Sequence, residues 1–294
     1  MDEQKQLSPY DSITILKELA TLNPLDDRAF KILLSDNVQF MLLAEALSGA
    51  KLDKDSIIDI NGEIVMSVNG RAIRLDSLHD TNEGYVNMEG QIAAIDFPFK
   101  RHIFHSAAIY VNGIQKGDSW QNLKPVISIV VYKDKSDSEL FESATITGKL
   151  VKTEDDRKQL RLIAVNTKKW HDAESETLKS YLSTLHHGIL TEENRPNFAA
   201  VDVESLTFID FQNAVKIACA KTKQQEYKKK GDDFMATQYA SFITEEERQA
   251  AKESGIDIAT EIIRLLKEGV SVAEIAKQLQ VPTRRVESLK LVAM

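Results

Sequence analysis

Hydrophobic and polar positions change period several times along the chain, and each change predicts an element. Asp11 or Ser12 caps a short helix carrying Ile13, Ile15, Leu16 and Leu19. After Asn23-Pro24 a second helix starts at Asp26 or Asp27 and carries Phe30, Leu33 and Leu34. A very apolar helix follows from Asn37 to Leu47 and stops at Gly49. The period then drops to two, which predicts strands at 57–60, 63–69, 71–78 and 84–92. Asn61-Gly62 and Asn69-Gly70 are hairpin turns, and Asp80-Thr-Asn-Glu-Gly84 supplies the turn before the last strand. Lys100 to Ile114 reads as a helix, and Pro125 to Tyr132 as a fully buried strand. Glu142 to Val151 is ambiguous, Lys158 to Val165 is a further strand, and the chain beyond Asp172 is helical. This order suits an α/β fold, a mixed sheet flanked by helices with a helical C-terminal region.

Within that pattern one hairpin carries chemistry. Tyr85, Asn87, Glu89 and Gln91 share one face of their strand, because side chains alternate, while Val86, Met88 and Ile92 turn to the core. Asp76 on the preceding strand brings a second carboxylate toward Glu89. Two convergent carboxylates are the minimum that holds a catalytic Mg²⁺. Polar groups concentrated on one side of an otherwise buried sheet need a reason.

Composition narrows the setting. The 294 residues suffice for one large domain or two modest ones. No apolar run is long enough to span a bilayer, and no secretory pattern opens the chain, so no membrane association and a cytoplasmic location are expected. Cys219 is the only cysteine, which excludes an internal disulfide and a cysteine-rich zinc site. A net charge of −8 argues against coating nucleic acid through bulk charge, though not against a local groove for DNA.

Asp76, then about a dozen residues, then Glu89-x-Gln91 resembles the core of the PD-(D/E)xK nucleases, in the form carried by the recombination-promoting nuclease and transposase-like family. Asp27-x-x-Phe30-Lys31 is similar to that family's opening helix. Lys100-Arg101, a helix, and Gly117-Asp-Ser-Trp-x-x-Leu123-x-x-Val126-x-x-Ile129 are similar to the family's helix, glycine and buried strand after the hairpin. Ile263-x-Leu-Leu-x-Glu-Gly269-Val-Ser-x-x-Glu274-Ile-Ala276 is similar to its C-terminal helices. The resemblance covers roughly 24–132 and 256–290, and two residues depart from the pattern. Gln91 stands where lysine is usual, and Gly90 where a bulky apolar residue is usual. A glycine inside a strand weakens it or marks a close backbone approach.

The resemblance implies a restriction-endonuclease-like fold and metal-dependent hydrolysis of DNA, linked to recombination or mobile elements. Asp76, Glu89 and the Gly90 carbonyl would ligate Mg²⁺, with Mn²⁺ as a substitute, and Gln91 would orient the attacking water. Lys31, Lys100 and Arg101 are candidates for phosphate contacts. A double-strand cut normally needs two active sites, which leaves a homodimer open. The alternative is a catalytically weak or inactive module of the same fold that binds DNA or protein.

The expected organisation is an N-terminal segment, 1–23, a nuclease-like core, 24–187, and a helical region, 188–294. Within the last, 271–290 resembles a helix-turn-helix, with Arg284 and Arg285 on the first turn of its second helix. Glu45 on the apolar helix is a further residue that could face the site. His102, His105 and Tyr110 read as packing or capping residues, His186-His187 as a poor metal pair, and Cys219 as core.

Overall fold

Capping side chains set the first helices. The computed structural model describes residues 9–60, 73–92, 98–133, 139–145, 153, 157–267 and 269–279. Helix α1 spans Pro9–Leu19, α2 Asp27–Leu34 and α3 Asn37–Ser48. Asp26 accepts the Arg28 N–H at the start of α2, and Asp36 accepts the N–H groups of Val38 and Gln39 at the start of α3. Gly49, in the left-handed region at φ 68°, closes α3.

Among the described residues six strands come next: β1 (Ile58–Asp59), β2 (Ser77–Thr81), β3 (Gly84–Gln91), β4 (Val126–Tyr132), β5 (Phe141–Thr145) and β6 (Leu160–Asn166). They lie in the order β1-β2-β3-β4-β6-β5. β1, β2 and β3 are antiparallel, β3, β4 and β6 are parallel, and β5 runs antiparallel to β6. The sheet is therefore mixed. Its centre, β4, places Val126, Ile129 and Val131 out of contact with solvent, as a near-continuous apolar run should when both faces are covered.

Helix α4 (Pro98–Asn112) joins β3 to β4 and packs on β4 and β6, while α2 and α3 pack on β3 and on β4 and β6, respectively. A parallel β3–β4 pair requires such a crossover. Phe30 and Phe40 are fully buried, and the Phe40 ring stacks on buried His79 with centroids 3.6 Å apart. After β6, α5 (Glu176–His187) and α6 (Leu206–Lys230) complete a helical C-terminal region, with α6 lying along α2 and α5. Tyr181, Phe208 and Phe211 are buried there, as is Cys219, whose thiol burial pushes up to about 12.

Two compact units divide the chain, Met1–Ala240 and Ser241–Met294. Helix α7 (Asp233–Lys267) begins in the first and runs on into the second. Within the second, Ile262 and Leu265 bury against Ile275 of α8 (Val272–Gln278). Ser271 and Glu274 form a capping box at the start of α8. The second half of the expected helix-turn-helix, including Arg284 and Arg285, lies outside the described residues. So do the strand expected at 63–69 and the turns Asn61-Gly62 and Asn69-Gly70.

Several boundaries move. The strand expected at 71–78 appears as Ser77–Thr81, so Asp76 sits in the bend just before it. Asp80 pairs with Tyr85 and Thr81 with Gly84, leaving only Asn82-Glu83 as the turn. Thr81 stabilises that short turn: its Oγ1 donates to the Gly84 carbonyl at 2.8 Å and accepts the Glu83 N–H at 3.1 Å. Ile92, expected in the core, is 42% exposed because β3 ends at Gln91. The ambiguous stretch after Glu142 contains an edge strand, β5, whose residues are mostly exposed. No helix among the described residues is long and apolar enough to cross a membrane.

Candidate active site

Register brings the two carboxylates together. Ser77 pairs with Met88, so Asp76, one residue earlier, comes beside Glu89 and Gly90. The Gly90 N–H donates to Asp76 Oδ2 at 2.9 Å. Lys31 Nζ lies 3.5 Å from Asp76 Oδ1 and 2.7 Å from Asp27 Oδ1, one helical turn away on α2. Asp76 is only 12% exposed. Burial pushes its carboxyl up to about 6; the Gly90 N–H works against that shift, and the charge of Glu89 adds to it.

Glu89 is held differently. His105 Nδ1 donates to Glu89 Oε1 at 2.5 Å, and Asn87 Nδ2 donates to the same oxygen at 3.1 Å. Arg101 Nη2 stands 3.7 Å from Oε2. Burial alone would raise the Glu89 pKa, but the hydrogen bond and charge of His105, with Asn87 and Arg101, hold it below the usual carboxylate range. Two neighbouring carboxylates thus differ, one firmly ionised and the other shifted toward neutrality. That is the behaviour of acidic groups sharing one site.

Behind Glu89 the sheet face is polar and buried. Asn87 Nδ2 also donates to Ser128 Oγ at 3.1 Å. Ser128 Oγ lies 3.3 Å from His102 Nδ1, and His102 Nε2 lies 3.1 Å from the Ser128 carbonyl. Those partners fit neutral His102 with its proton on Nε2, and burial lowers its pKa. Asn87 Oδ1, buried in this cluster, has no partner among the described residues.

Gly90 answers a packing demand. A Cβ there would come within 2.8 Å of Phe30 Cδ1, 3.0 Å of Phe30 Cγ and 3.2 Å of the Leu25 carbonyl oxygen. The close approach expected from a strand glycine is made by the helix that carries Lys31. Lys31 and Gly90 therefore belong to one arrangement, in which a tight α2–β3 contact puts an ammonium beside Asp76.

Of the residues expected at the site, Asp76, Glu89, Gly90, Lys31 and Arg101 come together. Gln91, half-buried at the end of β3, lies on the face of Glu89. Lys100 is exposed beside Arg101. Glu45 is elsewhere: its Oε1 accepts the Leu52 N–H at 2.8 Å and closes the loop after α3. His186 approaches Thr167 Oγ1 at 3.2 Å, and His187 packs edge-on against Trp170 and Phe198, both structural contacts. His105, expected only to pack or cap, is instead a direct partner of Glu89. The available signal was spacing: His102, His105, Ser106 and Ile109 fall on one face of α4, so its inward stripe is polar where a crossover helix is normally apolar.

The donor set fits a small hard cation. Both candidate groups are carboxylates, and the charge of Glu89 opposes ionisation of Asp76, a repulsion that a divalent cation beside them would relieve. Two carboxylates also suit Mg²⁺, which keeps several of its waters. Comparison of the chain with models of protein families, with curated proteins and with solved structures finds no match.

Proposed function

We propose that the chain is a metal-dependent DNA endonuclease of the PD-(D/E)xK kind, with a restriction-endonuclease-like fold and with Asp76 and Glu89 holding Mg²⁺ or Mn²⁺. The observation that carries this reading is the pair of carboxylates at the open end of the β2–β3 hairpin, flanked by Lys31 and Arg101. A bound cation would polarise the scissile phosphate and lower the pKa of the attacking water. The protein's own part is positioning. His105 and Asn87 fix Glu89 in its ionised form, and the Gly90 N–H fixes Asp76. Lys31, placed against Asp76, supplies from a helix the positive charge that Gln91 lacks. Gln91 orients water by hydrogen bonding. Arg101, nearly half exposed, reaches a phosphate oxygen at the rim. Cleavage of both strands calls for two copies of the site, supplied by a homodimer.

One observation favours a non-catalytic DNA- or protein-binding module instead: both carboxylates already have protein donors or cations as partners. Supercoiled plasmid separates the two readings. Wild-type protein should nick or linearise it with Mg²⁺ or Mn²⁺, EDTA should stop the reaction, and Asp76→Ala should be at least a hundredfold slower. Retained plasmid binding without cleavage in either metal would establish the binding module.

A further inference from the structure

At the other end of the sheet lies a recess of about 520 Å³. It opens where the parallel strands begin, about 17 Å from Glu89 along β3 at the usual rise per residue. Its walls come from the loop after α3, the β2–β3 turn, and the residues leading into β4 and β6. Among the described residues four cationic side chains line it, Lys51, Lys124, Lys158 and Arg161, against a single carboxylate, Glu83. Lys124 is neutralised by Asp80 at 2.5 Å and lies over the Tyr85 ring. Lys51, Lys158 and Arg161 have no ion pair among the described residues, and Arg161 is half-buried. A chain of net charge −8 thus gathers cations in one concave place, three of them without an ion pair among the described residues. A half-buried guanidinium without a carboxylate partner is open to an anionic ligand.

The recess is also a built one. Asn82 Nδ2 donates to the Lys51 carbonyl at 2.8 Å and Asn82 Oδ1 accepts the Asp53 N–H at 2.8 Å, which ties the turn to the loop after α3. Gly84, at φ 105°, lets the start of β3 press on Pro125, where a Cβ would come within 2.3 Å of the Pro125 carbonyl oxygen. Ala50, Pro125 and Ile127 give the cavity an apolar wall opposite its charges. Its volume suits a ligand of nucleotide size.

We propose that this recess binds a nucleoside phosphate, with the phosphate on Arg161 and Lys158 and the base against Ala50 and Pro125. The inference is independent of the nuclease reading, since it uses none of the residues around Asp76. Calorimetric titration of the full chain with dAMP, deoxyadenosine, inorganic phosphate and a 5′-phosphorylated oligodeoxynucleotide tests it. Binding of dAMP at least tenfold tighter than inorganic phosphate or deoxyadenosine is expected. Arg161→Gln and Lys158→Gln should each weaken dAMP binding at least tenfold, and the exposed Lys158 keeps the test valid if the Arg161 variant fails to fold. An oligonucleotide that competes with dAMP would make a strand end the source of the phosphate; absence of competition would make it a free nucleotide. No binding of dAMP, affinity no better than that of inorganic phosphate, or affinity unchanged in Lys158→Gln and in folded Arg161→Gln would overturn the proposal.

Discussion

Gly90 and Asp76 show how single residues carry both packing and charge at the site. Gly90→Ala would push a methyl group into Phe30 and the Leu25 carbonyl. Overpacking of this kind costs about 1–3 kcal/mol. Urea unfolding should show that loss, and Phe30→Leu in the same chain should recover part of it, because the two changes share one contact. Asp76 makes the opposite kind of prediction. Its carboxyl is raised from 3.8 to about 6 in the folded chain, so below pH 3.8 both states hold the proton and there is no penalty. Between pH 3.8 and about 6 the unfolded chain gives up the proton while the folded chain keeps it, so stability falls across that window and levels off above it, where the folded state carries a buried charge. Asp76→Asn, which can still accept the Gly90 N–H, should therefore be more stable than wild type by about 1–3 kcal/mol at pH 7–8 in metal-free buffer. The gain should fade toward pH 4. A site that raises the stability of the fold when it is neutralised is one whose charge is kept for another purpose.

At the scale of elements, what the sequence reveals depends on whether a signal is local. The alternation Tyr85-Val-Asn-Met-Glu-Gly-Gln91 places side chains on two faces of β3, and the register bears this out, with Val86 and Met88 buried on the apolar face. The run at Val126–Tyr132 is a central strand because it is apolar apart from Ser128, whose hydroxyl finds Asn87 and His102 in place of water, and the terminal Tyr132. Strand ends are harder to read. Leu75 and Asp76 look like strand yet lie before it, and Asp80 looks like turn yet pairs with Tyr85, since tertiary partners such as Lys124 decide those positions. The partners of Glu89 were legible only in part. Asn87 lies two residues away on the same strand, whereas His105 arrives from a helix whose direction over the sheet is not written in any short spacing. Helices are joined by polar contacts as well. Glu18 of α1 accepts the hydroxyls of Tyr227 in α6 at 3.0 Å and Tyr239 in α7 at 2.6 Å, with Lys223 at 3.4 Å. Tyr239 is among the most buried side chains in the chain. Glu18→Ala would strand its hydroxyl and should cost about 2 kcal/mol, read as a lower urea midpoint with an unchanged slope.

On the scale of the whole molecule, charge is sorted rather than spread. An acidic chain places Lys31 and Arg101 about two carboxylates at the open end of the β2–β3 hairpin, and a second group of cations about a recess at its turn, where β4 and β6 begin. The first arrangement is the one on which the proposed function depends, because it requires Asp76 and Glu89 to act as a single divalent-cation site. Titrating the full chain with Mn²⁺ at pH 7.5 and following free Mn²⁺ by electron paramagnetic resonance tests this without relying on any substrate. Wild-type protein should bind Mn²⁺, with affinity at least tenfold weaker in both Asp76→Asn and Glu89→Gln. Equal Mn²⁺ binding by all three proteins, or none by the wild type, would contradict a shared cation site.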